Sequence, residues 1–565
     1  MLTRVLVVSA LTLAAAGWYA ALPPGATTLP PAPPGVMQPV RGAIHVHSLR
    51  SDGTADVEQI AAAAARAGLQ FVVFTDHGDG VREPDPPRYV GGVLCIDAVE
   101  ISTRQGHLIA LGLPESPYPL GGDARDVVED VGRLGGFAIA AHPTSAKPEL
   151  QWRAWDVPVS GLEWLNADSE WRDESRWTLA RAVVTYPGRR AETLVSLLDR
   201  PDEALRRWDD LTRSRRVVGI AAADAHARIG LRTLGEPYDN SSSLHVPSYE
   251  QMFRVFSNSL PGLALTGEGA VDGPAVIAAI RAGHVYSTID ALGGPAAFSF
   301  TASSGSVMAT GGDVLPVSGP VNLRVEVQAP SDVSIAVVRD GSVVETRTGP
   351  LVELDAAPAP AVYRIEVSLP AAPGQPAVPW IVSNPIYVGR SDGDPAVADS
   401  RPRATTFAFQ YQDGPANGWT VETSDASLGA LDVVSNFMGT QLSLRYGLGG
   451  ALSSSPFTAF VMPAGEELAK YTQLTFTGRA DRPTRVSVQL RDPSGAGQRW
   501  YRSVYLAPEP REVTVYFDDM RPADPVSQPQ PGLGGVQAVL FVMDTVNTPV
   551  GGNGTIWIDD VKYGR

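Results

Sequence analysis

Cysteine is almost missing from these 565 residues: Cys95 stands alone, which excludes an intrachain disulfide and a thiolate-based metal site. Flanked by Val93, Leu94 and Ile96, it reads as a small residue of a buried core. Cations are also short, with 45 Lys and Arg against 61 Asp and Glu and a formal net charge of −16. That balance excludes a surface built to track long nucleic acid, which needs clustered Lys and Arg, but leaves a small nucleotide open. Long apolar runs are absent after residue 25, so hydropathy offers no second candidate span. The single such run, Val5 to Leu22, follows Arg4 and precedes Pro and Gly, the order of an export signal. Ala14 and Ala16 permit cleavage, while the run is also nearly long enough to stay as an anchor. The chain is therefore expected to be exported to the periplasm, cell surface or medium, touching a membrane only through residues 5–22 if these are retained.

The length implies several domains. Residues 1–22 read as signal peptide or anchor and 23–40 as a Pro-rich linker. Over 41–294, short apolar runs alternate with helical patterns, the signature of an α/β domain with a parallel sheet. Strands are expected at Ala43–His47, Phe71–Thr75, Val93–Val99, Phe137–Ala141, Gly161–Leu165 and Val217–Ala222. Helices are expected from a cap at Thr54, over Asp123–Gly135 and over Pro274–Gly283. From 295 the pattern becomes alternating Val, Thr, Ser and aromatics with frequent Gly and Pro. This predicts an Ig-like β-sandwich over 295–389, a linker over 390–403 and a second sandwich over 404–565.

Histidine is scarce too, at eight residues, yet six of the eight lie in short clusters with carboxylates. His45 and His47 are two apart, so on a plain strand both point to one face and can share a metal. Asp52 follows in Ser51-Asp52-Gly53. Asp76 and His77 follow the run Phe71–Phe74; Glu100 follows Val93–Val99; His107 opens Leu108–Leu113; His142 follows Phe137–Ala141; Asp224 and His226 follow Val217–Ala223. Any one of these is unremarkable, since a lone His is usually structural and Asp-Gly is a common turn. Taken together, nearly every cluster sits at the C-terminal end of a predicted parallel strand, where barrel-type α/β enzymes assemble sites from separate loops.

In these motifs, residues 41–290 resemble the polymerase and histidinol phosphatase (PHP) superfamily of metal-dependent phosphoesterases. The resemblance rests on His45-Val46-His47, Ser51-Asp52-Gly53, Thr75-Asp76-His77, Glu100 in Val99-Glu100-Ile101-Ser102, Gly106-His107, Ala141-His142-Pro143 and Asp224-Ala225-His226. It implies a distorted (β/α)7 barrel holding two to three divalent metals. One would take His45, His47, Glu100 and Asp224, a second Glu100, His107 and His142, and a third Asp52, His77 and His226. Asp76 would stand beside them, orienting a ligand or handling a proton. His-rich donor sets suit zinc, manganese or iron. Three carboxylates cannot neutralise three divalent ions, so the implied substrate is anionic: a small phosphate ester such as a nucleotide or sugar phosphate, cleaved by a metal-activated hydroxide.

Neighbouring residues bear on the substrate. Arg104, Lys147 and Arg228 lie close in sequence to the ligands and could clamp a phosphate. Trp152, Trp155, Trp164, Trp171 and Trp177 crowd the stretch after His142. An aromatic pocket there would suit a carbamate or other organic ester, as in the superfamily branch that includes a carbamate-insecticide hydrolase; packing over the barrel is the other reading. Exonuclease activity occurs among relatives, against the acidic balance here. The ending Ile556-Trp557-Ile558-Asp559-Asp560-Val561 resembles galactose-binding-like jelly rolls and carbohydrate-binding modules. It opens the alternative of a non-catalytic envelope protein that recognises glycan. His245 and His284 match no ligand position and read as structural or surface residues.

Overall fold

The computed structural model describes residues 2–32, 38–172, 174–230, 243–244, 246–370, 372–374, 376–390, 401, 404–412, 414–436, 439–465, 467–494, 497–524 and 527–565. His245 and most of the expected linker 390–403 lie outside them. The chain forms two compact units, one of Met1–Asp79, Glu83–Pro114 and Val128–Ala396, the other of Gly80–Arg82, Glu115–Val127 and Val397–Arg565.

The first unit opens with helix α1 (Leu2–Ala21). Among the described residues no helix is long and apolar enough to cross a membrane. Strands β1 (Val40–Val46), β2 (Phe71–Phe74) and β3 (Val93–Asp97) run parallel. After Ala98 the chain continues as β4 (Val99–Thr103), so the expected single strand Val93–Val99 is two segments. Next, β5 (Gly106–Leu111) pairs antiparallel with both β4 and β6 (Phe137–Ala140). This corrects the expectation of an all-parallel sheet: a two-residue turn joins β4 to β5, and so short a connection can only reverse the chain. Parallel pairing resumes through β7 (Gly161–Asn166) and β8 (Val218–Ala222). The circuit returns to β1 through a parallel bridge between Val46 and Ala225, with the Ala223 N–H donating to the Ile44 carbonyl.

Alternation along these strands sorts their side chains into two cores. Ile44, Phe71, Val73, Leu94, Ile96, Ile109, Ile139 and Ile220 belong to one. Val46, Val72, Phe74, Cys95 and Ala225 join the other, against Ile60, Ala61 and Ala64 of helix α2 (Val57–Arg66). Helix α2 is capped by Asp56, whose carboxylate accepts from the Gln59 N–H, and not by Thr54. Thr54 is diverted: its hydroxyl donates to the His226 carbonyl. Helix α3 spans Ala124–Arg133. The helix expected from Pro274 starts five residues earlier, at Gly269, and ends at Ala282 with Gly283 in the left-handed region at φ 77°.

The other side of β1 pairs with β9 (Ser257–Leu260), followed by β10 (Tyr286–Thr288) and Ile381–Ser383. One sheet thus runs from the strands around β1 into residues 314–388, and the boundary expected at 294–295 falls inside this unit. Phe298–Ser304 and Val321–Val327 belong to a separate four-stranded sheet and alternate buried and part-exposed residues, as expected for β-sandwich strands.

The second unit is a β-sandwich of two six-stranded sheets. Leu442, Leu444, Phe460, Phe476, Val488, Phe541, Ile556 and Ile558 fill its core. It includes Glu115–Val127, the segment before α3 together with that helix's first turn, where Asp126 pairs with the buried Arg485 at 3.3 Å.

Candidate metal centre

Backbone geometry at the strand ends sets this site. Between Ile44 and Val46 the β1–β2 register shifts by a bulge, and His45 lies in the left-handed region at φ 67°. His45 and His47 therefore meet, with ring centroids 5.1 Å apart, through a bulge and not through simple strand alternation. A non-glycine residue at such a bulge is strained. His142, followed by Pro143, has φ 29°, and Asp224 has φ 42°. Three of the nine expected ligands thus hold conformations that L residues rarely adopt, and strain of this kind concentrates at functional sites.

The turn carrying Asp52 is built from its neighbours. The Asp76 carboxylate accepts from the Ser48 N–H, the Ser48 hydroxyl and the Ser51 hydroxyl, each at 2.7 Å. Asp76 therefore holds the Ser48–Ser51 turn in place. Gly53 is required by close approach, since a Cβ there would stand 2.2 Å from the His47 carbonyl oxygen. That carbonyl accepts from the Tyr249 hydroxyl at 2.7 Å, which in turn accepts from the Thr54 N–H.

All nine expected ligands come together. Glu100 is almost fully buried and has imidazole nitrogens of five histidines within 3.3 Å: His107 and His142 at 2.9 Å from Oε1, and His45, His47 and His77 at 3.2 to 3.3 Å from Oε2. Asp224 Oδ1 lies 3.4 Å from Nε2 of both His45 and His47. Asp52 Oδ2 lies 3.1 Å from His226 Nε2. Among the described residues, four overlapping groups have donor atoms within 4.8 Å of one another: His47, Asp52, His77 and His226; His45, His47 and Asp224; His45, Glu100 and His142; His77, Glu100 and His107. His47 thus borders the Asp52 group as well as the Asp224 group.

Whether these residues suit cations is tested by their remaining hydrogen bonds. His45 Nδ1 is 2.6 Å from Glu163 Oε1, His142 Nδ1 is 3.0 Å from the Leu150 carbonyl, and His226 Nδ1 is 3.0 Å from the Asp224 carbonyl. With Nδ1 donating in each case, Nε2 of each ring points at the carboxylates, and loss of its proton leaves the lone pair turned inward, the tautomer a metal ligand needs. His47 Nε2 is buried with no hydrogen-bond partner, although two carboxylates lie within 3.4 Å. The donor set fits divalent cations.

Glu163 and Asn166 were missed by the sequence reading. Beyond His45, Glu163 accepts from the His142 N–H at 2.6 Å and from Asn166 Nδ2 at 2.8 Å; Asn166 Nδ2 also donates to Asp224 Oδ2 at 3.1 Å. The signal was a buried Glu and Asn inside the apolar strand Gly161-Leu162-Glu163-Trp164-Leu165-Asn166.

Electrostatics reflect this crowding. Burial alone lowers the His45 pKa, but the Asp224, Glu163 and Glu100 carboxylates outweigh it and raise the pKa. His47 is likewise pushed up to about 10 against burial, by Asp224 and Glu100, and His142 is raised, again against burial, chiefly by Glu100. Burial carries His77 down to about 4. Burial would raise the carboxyl pKa values of Asp52, Glu100 and Asp224, yet the surrounding imidazoles hold all three below their ordinary range.

Of the three expected substrate clamps, Arg228 reaches the cluster: Nη2 is 3.0 Å from Asp52 Oδ2, and Nη1 is buried without a hydrogen-bond partner. Arg104 is exposed in the β4–β5 turn and Lys147 is half-buried after His142. The five tryptophans differ in exposure and partners. Trp152 and Trp164 are buried, Trp164 donating to the Ser287 hydroxyl; Trp155 and Trp171 pair with Arg207 and Arg172; Trp177 is 86% exposed. His284 pairs with Asp313 at 2.9 Å, away from the nine ligands.

No family model matches the chain. Over 119 residues, 20% of this chain, it is 32% identical to an uncharacterized protein of Methanocaldococcus jannaschii and covers 69% of that protein. The chain belongs to the same family as that protein. Solved structures it resembles include the family 11 carbohydrate-binding module of cellulosomal cellulase Lic26A-Cel5E of Clostridium thermocellum, at 13% identity over 29% of this chain and 96% of that one, with a TM-score of 0.25. Another is the family 30 module of cellulase Cel9D-Cel44B of Clostridium thermocellum, at 13% identity over 28% and 96%, with a TM-score of 0.22.

Proposed function

We propose that residues 41–294 form a metal-dependent hydrolase of the PHP type that cleaves a small phosphate ester. The observation that supports this most is the convergence of His45, His47, Asp52, His77, Glu100, His107, His142, Asp224 and His226, with hydrogen bonds on the far sides of His45, His142 and His226 turning Nε2 inward. Divalent ions held there would supply a hydroxide at neutral pH and positive charge for the phosphoryl oxygens. Glu163 and Asn166 fix His45, the His142 backbone and Asp224. Asp76 holds the Asp52 turn and is assigned a positioning role. With Nη2 on Asp52 and Nη1 buried without a hydrogen-bond partner, Arg228 is assigned as a donor for an anionic oxygen.

That guanidinium supports a phosphate ester over a carbamate. For the glycan-binding alternative, Trp557 of the second unit is the natural stacking residue, but the Arg479 guanidinium already lies 3.7 Å over its ring. The test is elemental analysis of the purified chain, with hydrolysis of an aryl phosphate and an aryl carbamate by wild type and His142→Ala. Two or three metals per chain, with phosphate hydrolysis lost in the variant, is expected. Metal with carbamate turnover alone would transfer the site to the organic-ester class, and absence of bound metal would overturn the reading.

A further inference from the structure

Helix α4 (Arg176–Thr185) has its polarity inverted for a helix on the surface of a water-soluble domain. Thr185 is buried and Thr178, Leu179 and Ala182 are part-buried, whereas Trp177, Ala180, Val183 and Val184 are exposed. Trp177 is 86% and Val183 74% exposed. A solvent-facing side is ordinarily charged or polar, with the apolar stripe turned inward. The only charges on the exposed side are Arg176 and Arg181. In sequence, Arg172 to Arg190 carries five arginines against Asp173 and Glu174, a basic island in a chain of net charge −16.

The neighbour of α4 points the same way. Helix α1 carries Arg4 as its one charge and is apolar but for that residue and Thr3, Ser9 and Thr12, and Leu6, Leu11 and Leu13 are each more than 60% exposed. Its end seats on α4: Trp18 Nε1 donates to the Val184 carbonyl at 2.9 Å and Arg181 Nη2 to the Ala21 carbonyl at 3.4 Å, and just beyond the two helices Arg189 Nη1 donates to the Pro23 carbonyl at 2.5 Å. The exposed apolar side chains of α1 and α4, with Trp18, Tyr19 and Trp177 among them, therefore lie on adjoining elements. An apolar face with aromatic rings and arginines fits the boundary of a bilayer, where rings sit at headgroup level and guanidinium groups meet anionic lipid.

We propose that the exposed face of α4, centred on Trp177 and flanked by Arg176 and Arg181, docks on an anionic lipid surface beside α1. It gives the first unit a second membrane contact, so that the chain lies against the bilayer and does not hang from α1 alone. The inference is independent of the chemistry assigned to the metal centre.

The test uses the full chain carrying Ala180→Cys and an environment-sensitive fluorophore. Cys95 is buried and burial pushes its thiol up to about 11, so labelling falls on the introduced cysteine. With vesicles containing phosphatidylglycerol, the label is expected to shift to blue emission, more weakly with phosphatidylcholine alone, and the shift is expected to diminish in high salt. Arg176→Gln with Arg181→Gln is expected to weaken partition about 30-fold, from about fivefold per arginine, and Trp177→Gln to return the label to an aqueous spectrum. A label that stays aqueous while the chain sediments with vesicles would assign binding to α1 alone and overturn the proposal. Absence of vesicle binding would overturn it as well, and a shift indifferent to lipid charge would overturn the role of the arginines.

Discussion

Glu163 does at the scale of one side chain what the histidine motifs cannot do for themselves. By accepting from His45 Nδ1 and from the His142 N–H, it determines which nitrogen of His45 faces the carboxylates and where the His142 loop begins. Glu163→Gln keeps the volume and offers an NH2 in place of one carboxylate oxygen. It is expected to weaken metal binding about 10- to 100-fold, read by titration of the chelated protein with zinc or manganese. An unchanged affinity would mean that Glu163 is only a packing residue. Arg228 is expected to behave in the opposite sense: Arg228→Gln should leave metal content unchanged while kcat/KM for a phosphate monoester falls about 10- to 100-fold, the loss of one charged hydrogen bond in a desolvated site. A variant that also lost metal would assign Arg228 to holding Asp52 in place. The nine expected ligands were legible because each carries its own local mark, a His or carboxylate beside an apolar run or, for Asp52, in the Ser51-Asp52-Gly53 turn just after His47. Glu163 and Tyr249 were not, because their partners stand 118 and 202 residues away in sequence and nothing nearby records the pairing.

At the scale of elements, the six expected strands around the centre were readable to within one to three residues from apolar runs alone, while Val99–Thr103 and Gly106–Leu111 were not among them. Their directions were not. Parallel order was inferred from alternation with helices, but the turn between β4 and β5 is too short for a crossover, and the His45 bulge leaves no trace in composition. A second element-level feature lies in Asp202–Thr212 and Ala361–Ser368. Arg364, 3% exposed, is bidentate on Asp209 at 2.7 Å and also pairs with Glu366, which Arg200 holds from its other side. Removing the one cation shared by two buried carboxylates takes the bidentate partner from Asp209 and leaves Glu366 with Arg200 alone. Arg364→Met is therefore expected to destabilise the first unit by about 3–5 kcal/mol in urea unfolding, and a loss below about 1 kcal/mol would show the network to be solvent-screened. At Gly219 on β8, an added Cβ would lie 2.4 Å from the Trp208 ring. Gly219→Ala is expected to cost about 1–3 kcal/mol by overpacking.

For the whole molecule, the proposed metal binding would compete with proton binding for one set of nitrogens. In chelated protein the raised pKa values of His45, His47 and His142 contribute stability that is fully present below the unfolded value of 6.5 and is lost as pH rises through the folded values, about 10 for His47. His77, carried down to about 4, acts oppositely and costs stability as pH falls from 6.5. Asp52, Glu100 and Asp224, all lowered, contribute stability above their unfolded values and lose it as pH falls through the folded ones. The chelated protein is therefore expected to lose thermal stability between pH 6.5 and 10, while the increment added by metal grows over the same range because neutral imidazoles are the ligands. Differential scanning calorimetry with and without chelator would show the two curves diverging; parallel curves would mean that the cluster does not bind the metal.

The central claim is that this cluster hydrolyses a phosphate ester through bound metal, and the most direct measurement is aryl phosphate hydrolysis by the chelated full chain during titration with zinc, manganese or iron. The predicted result is activity that rises with added metal, saturates at two to three ions per chain and disappears when chelator is restored. Phosphate hydrolysis at one constant rate through the titration, or metal uptake to saturation without phosphate turnover, would contradict it.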